Sequence, residues 1–243
     1  DKFKCIIIDK NKYFAFNEKL TIGNENVEIT SSVKLLGVTI DNQINFNIHI
    51  SNICKSASNQ LSALVRFKSY LGLEEKKILI NSFILSNFNF CPLVWFISSA
   101  KSLRKIENLQ RRALRFLNED YQSSYNELLK KSGKTSINVR NHRTLCIEIF
   151  KTINKLNLSF MGDIFRHRLS VRPTRDKYKL NLEVPKANQV RFGIKNFKSL
   201  DSKLWNSLLN HINSAENLMQ FWKIIKQWDG TDCSCRFCNI LKN

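Results

Sequence analysis

The spacing of apolar residues along the chain changes character once, near residue 46. Before that point they fall in short runs rich in β-branched and aromatic residues: "KCIII" (4–8), "YFAF" (13–16), "KLTI" (19–22), "VEI" (27–29) and "VKLLGVTI" (33–40). Runs of this length, bounded by polar and glycine-containing segments, predict short β-strands. "GNEN" (23–26) separates the third and fourth as a hairpin turn does. Gly37, inside the last run, predicts a bulge or a place where another backbone comes close.

From about residue 47 the period becomes helical. Ile50, Ile53, Cys54, Ala57, Leu61, Leu64 and Leu71 recur on one face, with Lys55, Asn59, Ser62 and Arg66 opposite. A second helix is expected over 73–87, entered through Glu74 and Glu75, which suit the positive end of a helix dipole. The third, over 100–117, has the clearest pattern. Leu103, Ile106, Leu109, Ala113, Leu114 and Leu117 make one stripe, and Lys101, Arg104, Lys105, Arg111, Arg112 and Arg115 gather on the other side, opposed only by Glu107. A further helix is expected over 139–156, with Arg140, Arg143, Lys151 and Lys155 outside its stripe of Leu145, Cys146, Ile149, Ile153 and Leu156. Residues 166–198 turn polar, basic and irregular, broken by Pro173 and Pro185. A last helical block, 199–228, is anchored by Leu204, Trp205, Leu208, Phe221, Trp222 and Ile225. The fold class expected is α+β, predominantly α-helical, in four stretches: 1–45, 46–165, a linker or arm at 166–198, and 199–243.

Charge sharpens this picture. With 39 Lys and Arg against 20 Asp and Glu, the formal net charge is +19, which points to a polyanionic partner. A biased codon usage would spread lysine evenly and leave arginine sparse. Lysine is spread, but ten of the thirteen arginines lie between Arg104 and Arg175. Ordinary solvated helix faces mix acids with bases at four-residue spacing, and the third helix does not.

Only 7 Gly and 3 Pro in 243 residues disfavour a turn-rich all-β fold. Cys5, Cys54, Cys91 and Cys146 stand alone in apolar stretches and read as small buried hydrophobes. Cys233, Cys235 and Cys238 form a tight Cys-x-Cys-x-x-Cys tail that supplies three of the four ligands of a structural zinc. His211 and Asp232 are the candidates for the fourth. A flexible reduced tail explains the same residues. No signal-peptide pattern opens the chain, so an intracellular setting in a reducing compartment is expected, not secretion. The most membrane-like run, "FILSNFNFCPLVWFISSA" (83–100), is interrupted by Asn87, Asn89 and Pro92 and reads as core. The first residue is Asp1, with no Met, directly ahead of an apolar run, so the sequence reads as part of a larger protein.

Three long stretches, in order, carry a resemblance: "SSVKLLGVTIDNQINFNIHI" (31–50), "LINSFILSNFNFCPLVWF" (79–96) and "RFGIKNFKSLDSKLWNSL" (191–208). Together with "NLQRRALRFL" (108–117) and the terminal "CSCRFC", they resemble the region downstream of the active site in reverse transcriptases of non-LTR retrotransposons, the jockey-like LINE elements. The resemblance spans nearly the whole chain. It implies that "DKFKCIII" ends the polymerase palm and that "VKLLGVTID" is the primer-grip strand, with Leu36 and Gly37 near the primer. The following helices would be a thumb, and a C-terminal helical region with the cysteine tail would close the chain. The partners implied are an RNA template and a DNA primer, held as an RNA–DNA duplex, and the upstream palm and fingers of the same polypeptide.

Residues implied in nucleic-acid contact are Leu36, Gly37, Lys55, Arg66, Arg104, Lys105, Arg111, Arg112, Arg115, Arg140, Arg143, Arg191 and Lys195. Basic helix faces hold a duplex through its phosphates without reading sequence. The parent activity implied is RNA-directed DNA polymerisation with magnesium held by palm aspartates. This sequence has no Asp-Asp pair; Asp1, Asp9 and Asp41 are isolated. The chain by itself is therefore expected to be inactive. Lys2 falls where the family places a lysine that can protonate the leaving pyrophosphate, and a surface lysine explains it equally. The alternative is a stand-alone basic helical nucleic-acid-binding module, or a degenerate non-enzymatic copy of such an element. A third reading is a membrane-surface or protein-interaction domain built on the aromatic block 83–96.

Overall fold

A computed structural model describes residues 3–8, 20–96, 98–159, 162, 164–166, 181–186, 197–208, 212 and 215–230. Helices dominate it, with two small sheets near the N-terminus, so the protein is α+β and mostly helical. Two compact units divide the chain, Asp1–Ser132 and Gly133–Asn243. The division falls inside the 46–165 span.

In the first unit, β1 (Lys4–Cys5), β2 (Leu20–Ile22) and β3 (Glu25–Ile29) form one sheet in the order β1-β3-β2. β1 runs parallel to β3, with Lys4 opposite Glu28. β2 and β3 are an antiparallel hairpin closed by Gly23 and Asn24. The expected strand at 13–16 lies outside the described residues.

The run "VKLLGVTI" corrects an expectation. It is two strands, β4 (Ser32–Leu35) and β5 (Val38–Asp41), paired with Leu35 opposite Val38. Leu36 (φ 45°) and Gly37 (φ 87°) make the two-residue turn between them, both in the left-handed region that a type I′ hairpin demands. Gly37 is thus a hairpin tip and not a bulge. The close approach is real, but the neighbour is a ring: a Cβ on Gly37 would lie 2.9 Å from Phe90 Cε1. Leu36 is 87% exposed beside it.

Asp41 then turns the chain into α1 (Asn47–Arg66). Its buried carboxylate accepts the N–H groups of Gln43 (3.0 Å), Asn45 (3.2 Å) and Phe46 (2.7 Å). Ile44 and Phe46, at φ 49° and 56°, are held in a conformation that non-glycine residues rarely adopt. A second tie joins β5 to α1: the Thr39 N–H donates to Nδ1 of buried His49 at 3.3 Å. Burial, and then the charge of Lys34, hold the His49 pKa below its usual value.

After a 3-10 turn at Lys68–Tyr70, α2 (Leu73–Leu79) continues through a π turn, Ile80–Ile84, and a 3-10 turn, Leu85–Phe88. The span expected as one helix is helical throughout but changes gauge twice, which lets Ile80, Ile84, Leu85 and Phe88 all be buried. α3 (Pro92–Trp95) follows, with the Trp95 indole N–H on the Phe90 carbonyl at 3.1 Å. Phe88, Trp95 and Phe96 are core, whereas Phe83, Phe90 and Val94 face out. No helix among the described residues is long and apolar enough to cross a membrane. Cys91 corrects another expectation: it is exposed, at the start of α3, because its left-handed backbone (φ 44°) turns the chain there.

α4 (Ala100–Asn118) and α5 (Tyr125–Lys131) close the unit. Ser99 caps α4 through the Ser102 N–H, and Ser124 with Glu127 makes a reciprocal capping box on α5. At the corner between them, Glu119 accepts Lys76 Nζ at 2.5 Å and Lys68 Nζ at 3.0 Å, and buried Lys76 sits 5.6 Å above the Phe116 ring. Asp120 accepts Lys131 Nζ, the Ser123 Oγ (2.6 Å) and the Ser123 N–H (2.9 Å).

Three carboxyls of this corner are held below their ordinary range: Glu119 by Lys76 and then Lys68, Asp120 by Lys131 and then Ser123, Glu127 by the Ser124 N–H. Because each folded pKa lies below its unfolded value, the stabilisation is complete above the ordinary carboxylate range and is lost as pH falls through the folded values. The thermal midpoint is therefore expected to hold down to about pH 4.5 and fall below it. Glu119→Gln, Asp120→Asn and Glu127→Gln together should flatten that response; an equally steep acid response in this variant would refute the assignment.

In the second unit, α6 (Ile137–Ile153), α7 (Phe197–Ser207) and α8 (Leu218–Gln227) pack around Phe150, Trp205 and Phe221. Phe150 and Phe221 stack at 4.4 Å, and Trp205 and Phe221 at 5.8 Å. Part of the expected basic arm is docked. Leu182 is buried, and the Asn206 side chain mimics a strand partner by accepting the Leu182 N–H (2.8 Å) and donating to its carbonyl (2.9 Å).

Candidate nucleic-acid interface

α4 is the centre of the candidate site. At about 100° per residue, Lys101, Arg104, Lys105, Asn108, Arg111, Arg112 and Arg115 occupy roughly a third of its circumference. Leu103, Ile106, Leu109, Ala113, Leu114, Phe116 and Leu117 are buried on the rest. Lys101, Arg104, Lys105 and Arg112 are exposed, and Arg111 and Arg115 are half-buried. Arg111 Nη2 donates to Asn108 Oδ1 at 2.8 Å, and the buried Nε of Arg115 has no hydrogen-bond partner.

Glu107 is placed differently from the expectation. Rather than opposing the arginines, it is turned inward, 6% exposed, and accepts the Tyr125 hydroxyl. The basic face of α4 thus carries no carboxylate of its own.

α1 packs along α4 and extends the surface. Ser102 Oγ meets Asn47 Oδ1 at 2.8 Å, and Arg112 Nη1 reaches Ser58 Oγ at 3.4 Å. Between these contacts, Cys54 lies near enough to Lys105 to feel its charge, although burial dominates and pushes the thiol up to about 11. Such a thiol is protonated and inert. Lys55, Asn59, Ser62 and Arg66 are all exposed, as the stripe predicts.

Most acids of the unit's helical part are occupied elsewhere. Asp41 and Glu127 cap backbone, Glu74 pairs with Lys77, and Glu119 and Asp120 pair with Lys68, Lys76 and Lys131. Among the described residues, none of Lys55, Arg66, Lys101, Arg104, Lys105, Arg111, Arg112 and Arg115 has a carboxylate within ion-pairing distance. Arg111 and Arg115, and Lys101 and Lys105, are like-charge neighbours at four-residue spacing, which destabilises the helix by about 0.2–0.5 kcal/mol each. α4 also begins with no acid in its first turn. A polyanion on this face relieves both costs.

The remaining sequence-predicted residues belong to neither α1 nor α4. Leu36 and Gly37 stand at the hairpin tip. Arg140 and Arg143 belong to the second unit and are half-buried, and Arg143 is engaged: its Nε donates to the Trp228 carbonyl at 2.7 Å, and burial lowers its pKa. Lys151 pairs with Glu148 at 2.7 Å. Lys2, Arg191, Lys195, His211, Asp232 and the tail Cys233, Cys235 and Cys238 lie outside the described residues. Among the described residues, no group of three His, Cys, Asp or Glu side chains could hold a metal ion. The Asp41 oxygens are taken by backbone N–H groups, and Asp1 and Asp9 lie outside the described residues.

Sequence reasoning missed two features. The capping box Ser124–Glu127, readable as Ser-x-x-Glu, announces α5 and the corner that consumes Glu119 and Asp120. Trp222, counted among the core anchors, is 49% exposed, because Leu218, Phe221 and Ile225 already define the inner face of α8 and Trp222 lies about 100° off it.

Comparison of the chain with protein-family models, with curated proteins and with solved structures returns no match.

Proposed function

We propose that this chain is the C-terminal part of an RNA-directed DNA polymerase of a non-LTR retrotransposon, and that it grips template–primer nucleic acid without catalysing alone. The observation that carries the binding half of this reading is the basic surface of α4 and α1, whose cations have no acidic partner among the described residues, while Glu74, Glu119 and Asp120 pair with other lysines. Such a surface suits phosphates and carries no sequence information. The polymerase half rests on the ordered resemblance of the stretches 31–50, 79–96 and 191–208 to that family. In this reading the β4–β5 hairpin is the primer grip, and the helices from α1 to α6, within 46–165, belong to the thumb. Magnesium is held upstream by the palm, and the protein works intracellularly in a ribonucleoprotein. The cysteine tail is a candidate zinc element of the C-terminal region.

The alternative, a stand-alone basic nucleic-acid-binding module, makes a different prediction. A grip and thumb should bind an RNA–DNA duplex with a recessed DNA 3′ end more tightly than a blunt duplex of equal length. Fluorescence anisotropy with the two labelled duplexes separates the readings. Tighter binding to the recessed end supports the polymerase reading, and equal affinities support the module.

A further inference from the structure

The chain has four tryptophans, and three are structural: Trp95, Trp205 and Trp228 are 0%, 1% and 6% exposed. Trp222 is not. It lies on the outer face of α8 with Met219, Lys223 and Lys226, at spacings of three, four and seven residues from Met219. Met219 is 71% exposed and Trp222 49%. Lys226 Nζ stands 5.0 Å from the centre of the indole ring, and no acid occurs within the helix; Glu216 precedes it and Asp229 follows it. The inner face is complete without Trp222, since Phe221 and Ile225 are buried.

We propose that this face is a second nucleic-acid site, specific for single strands, in which Trp222 stacks on an unpaired base while Lys223 and Lys226 hold the flanking phosphates. An indole flanked by cations matches the chemistry of single-strand binding, where aromatic stacking on successive bases is combined with backbone neutralisation. A duplex does not offer its base faces to such a ring. The surface of α4 and α1 has the opposite character: α4 presents basic residues and Asn108 outward, α1 adds Lys55 and Arg66 beside serines, asparagines and the aliphatic Ile48 and Val65, and no aromatic is among them. The two faces therefore divide the labour, one for paired backbone and one for unpaired bases. An anionic membrane is the other polyanion a Trp–Lys helix can meet, but it needs a broad apolar face. Here only Met219 and Trp222 supply one, on a helix of 10 residues. The inference stands on α8 alone and does not depend on the polymerase reading.

Because the other three indoles are buried, Trp222 reports on itself. Titrating the full chain with oligo(U) should quench intrinsic fluorescence, and a self-complementary RNA duplex of equal length should not. Trp222→Ala should remove the quenching and weaken oligo(U) affinity, read by anisotropy of a labelled oligonucleotide, about tenfold. Trp222→Phe should restore most of that affinity, and Lys223→Gln with Lys226→Gln should reduce the salt slope by about 1.4. Circular dichroism of each variant keeps misfolding apart from lost contact. Unchanged oligo(U) affinity in Trp222→Ala, or a blue shift with phosphatidylserine vesicles that oligo(U) does not reverse, would overturn the proposal. Loss of duplex binding on changing α4 tests the other face separately.

Discussion

Replacing Arg104, Arg111 and Arg115 together by glutamine should weaken binding of an RNA–DNA duplex about a hundredfold near 0.15 M salt. The size follows from counterion release: three lost phosphate contacts remove roughly 2–3 from the log–log salt slope, worth about two decades at that salt concentration. These three share one ridge of α4 and have no acidic neighbour to release in exchange. The fold should survive, since none of the three is part of the buried stripe and the change removes like-charge repulsion between Arg111 and Arg115. Arg140→Gln with Arg143→Gln is the contrast. Arg143 is bound to the Trp228 carbonyl, so the pair should cost stability more than duplex affinity. If the two variants lost affinity equally, the localisation of binding to α4 would be wrong.

The second large effect concerns stability. Asp41→Ala should lower the stability of the first unit by about 3 kcal/mol. Three N–H groups lose their acceptor, and the bond from Phe46 is the buried one of the three. The left-handed backbone at Ile44 and Phe46 then lacks the carboxylate that holds it. Asp41→Asn keeps one acceptor oxygen and should cost less. Urea denaturation followed by helical ellipticity measures both. Coinciding midpoints for wild type and Asp41→Ala would show that the turn is held by packing instead. The hairpin tip should move with this turn, because β5 leads directly into it and Thr39 is tied to His49.

What the sequence disclosed, and what it hid, follows physical lines. Long amphipathic helices were legible because burial imposes the 3.6-residue period over many turns, and α1 and α4 begin where the pattern says. The basic face of α4 was legible for the same reason. Glu107 was not, because a carboxylate near the edge of a stripe can turn either way, and the Tyr125 hydroxyl on another helix decided it. The β4–β5 hairpin looks like one strand in the sequence because Leu36-Gly37 is apolar at its first position, unlike the Asn-Gly pair that usually marks a type I′ turn. The corner of Glu119, Lys76 and Lys68 joins residues more than forty apart in sequence, so no local pattern carries it. Trp222 shows the limit of counting aromatics as core, since helical phase and not residue type sets what is buried.

The most direct test of the central claim is the salt dependence of duplex binding by the unaltered chain. A carboxylate-free surface that engages about six phosphates predicts that log affinity falls with log salt at a slope of roughly −4 to −6. A slope between zero and about −1 would mean that the cations of α4 and α1 do not meet phosphates, and the proposed interface would fail.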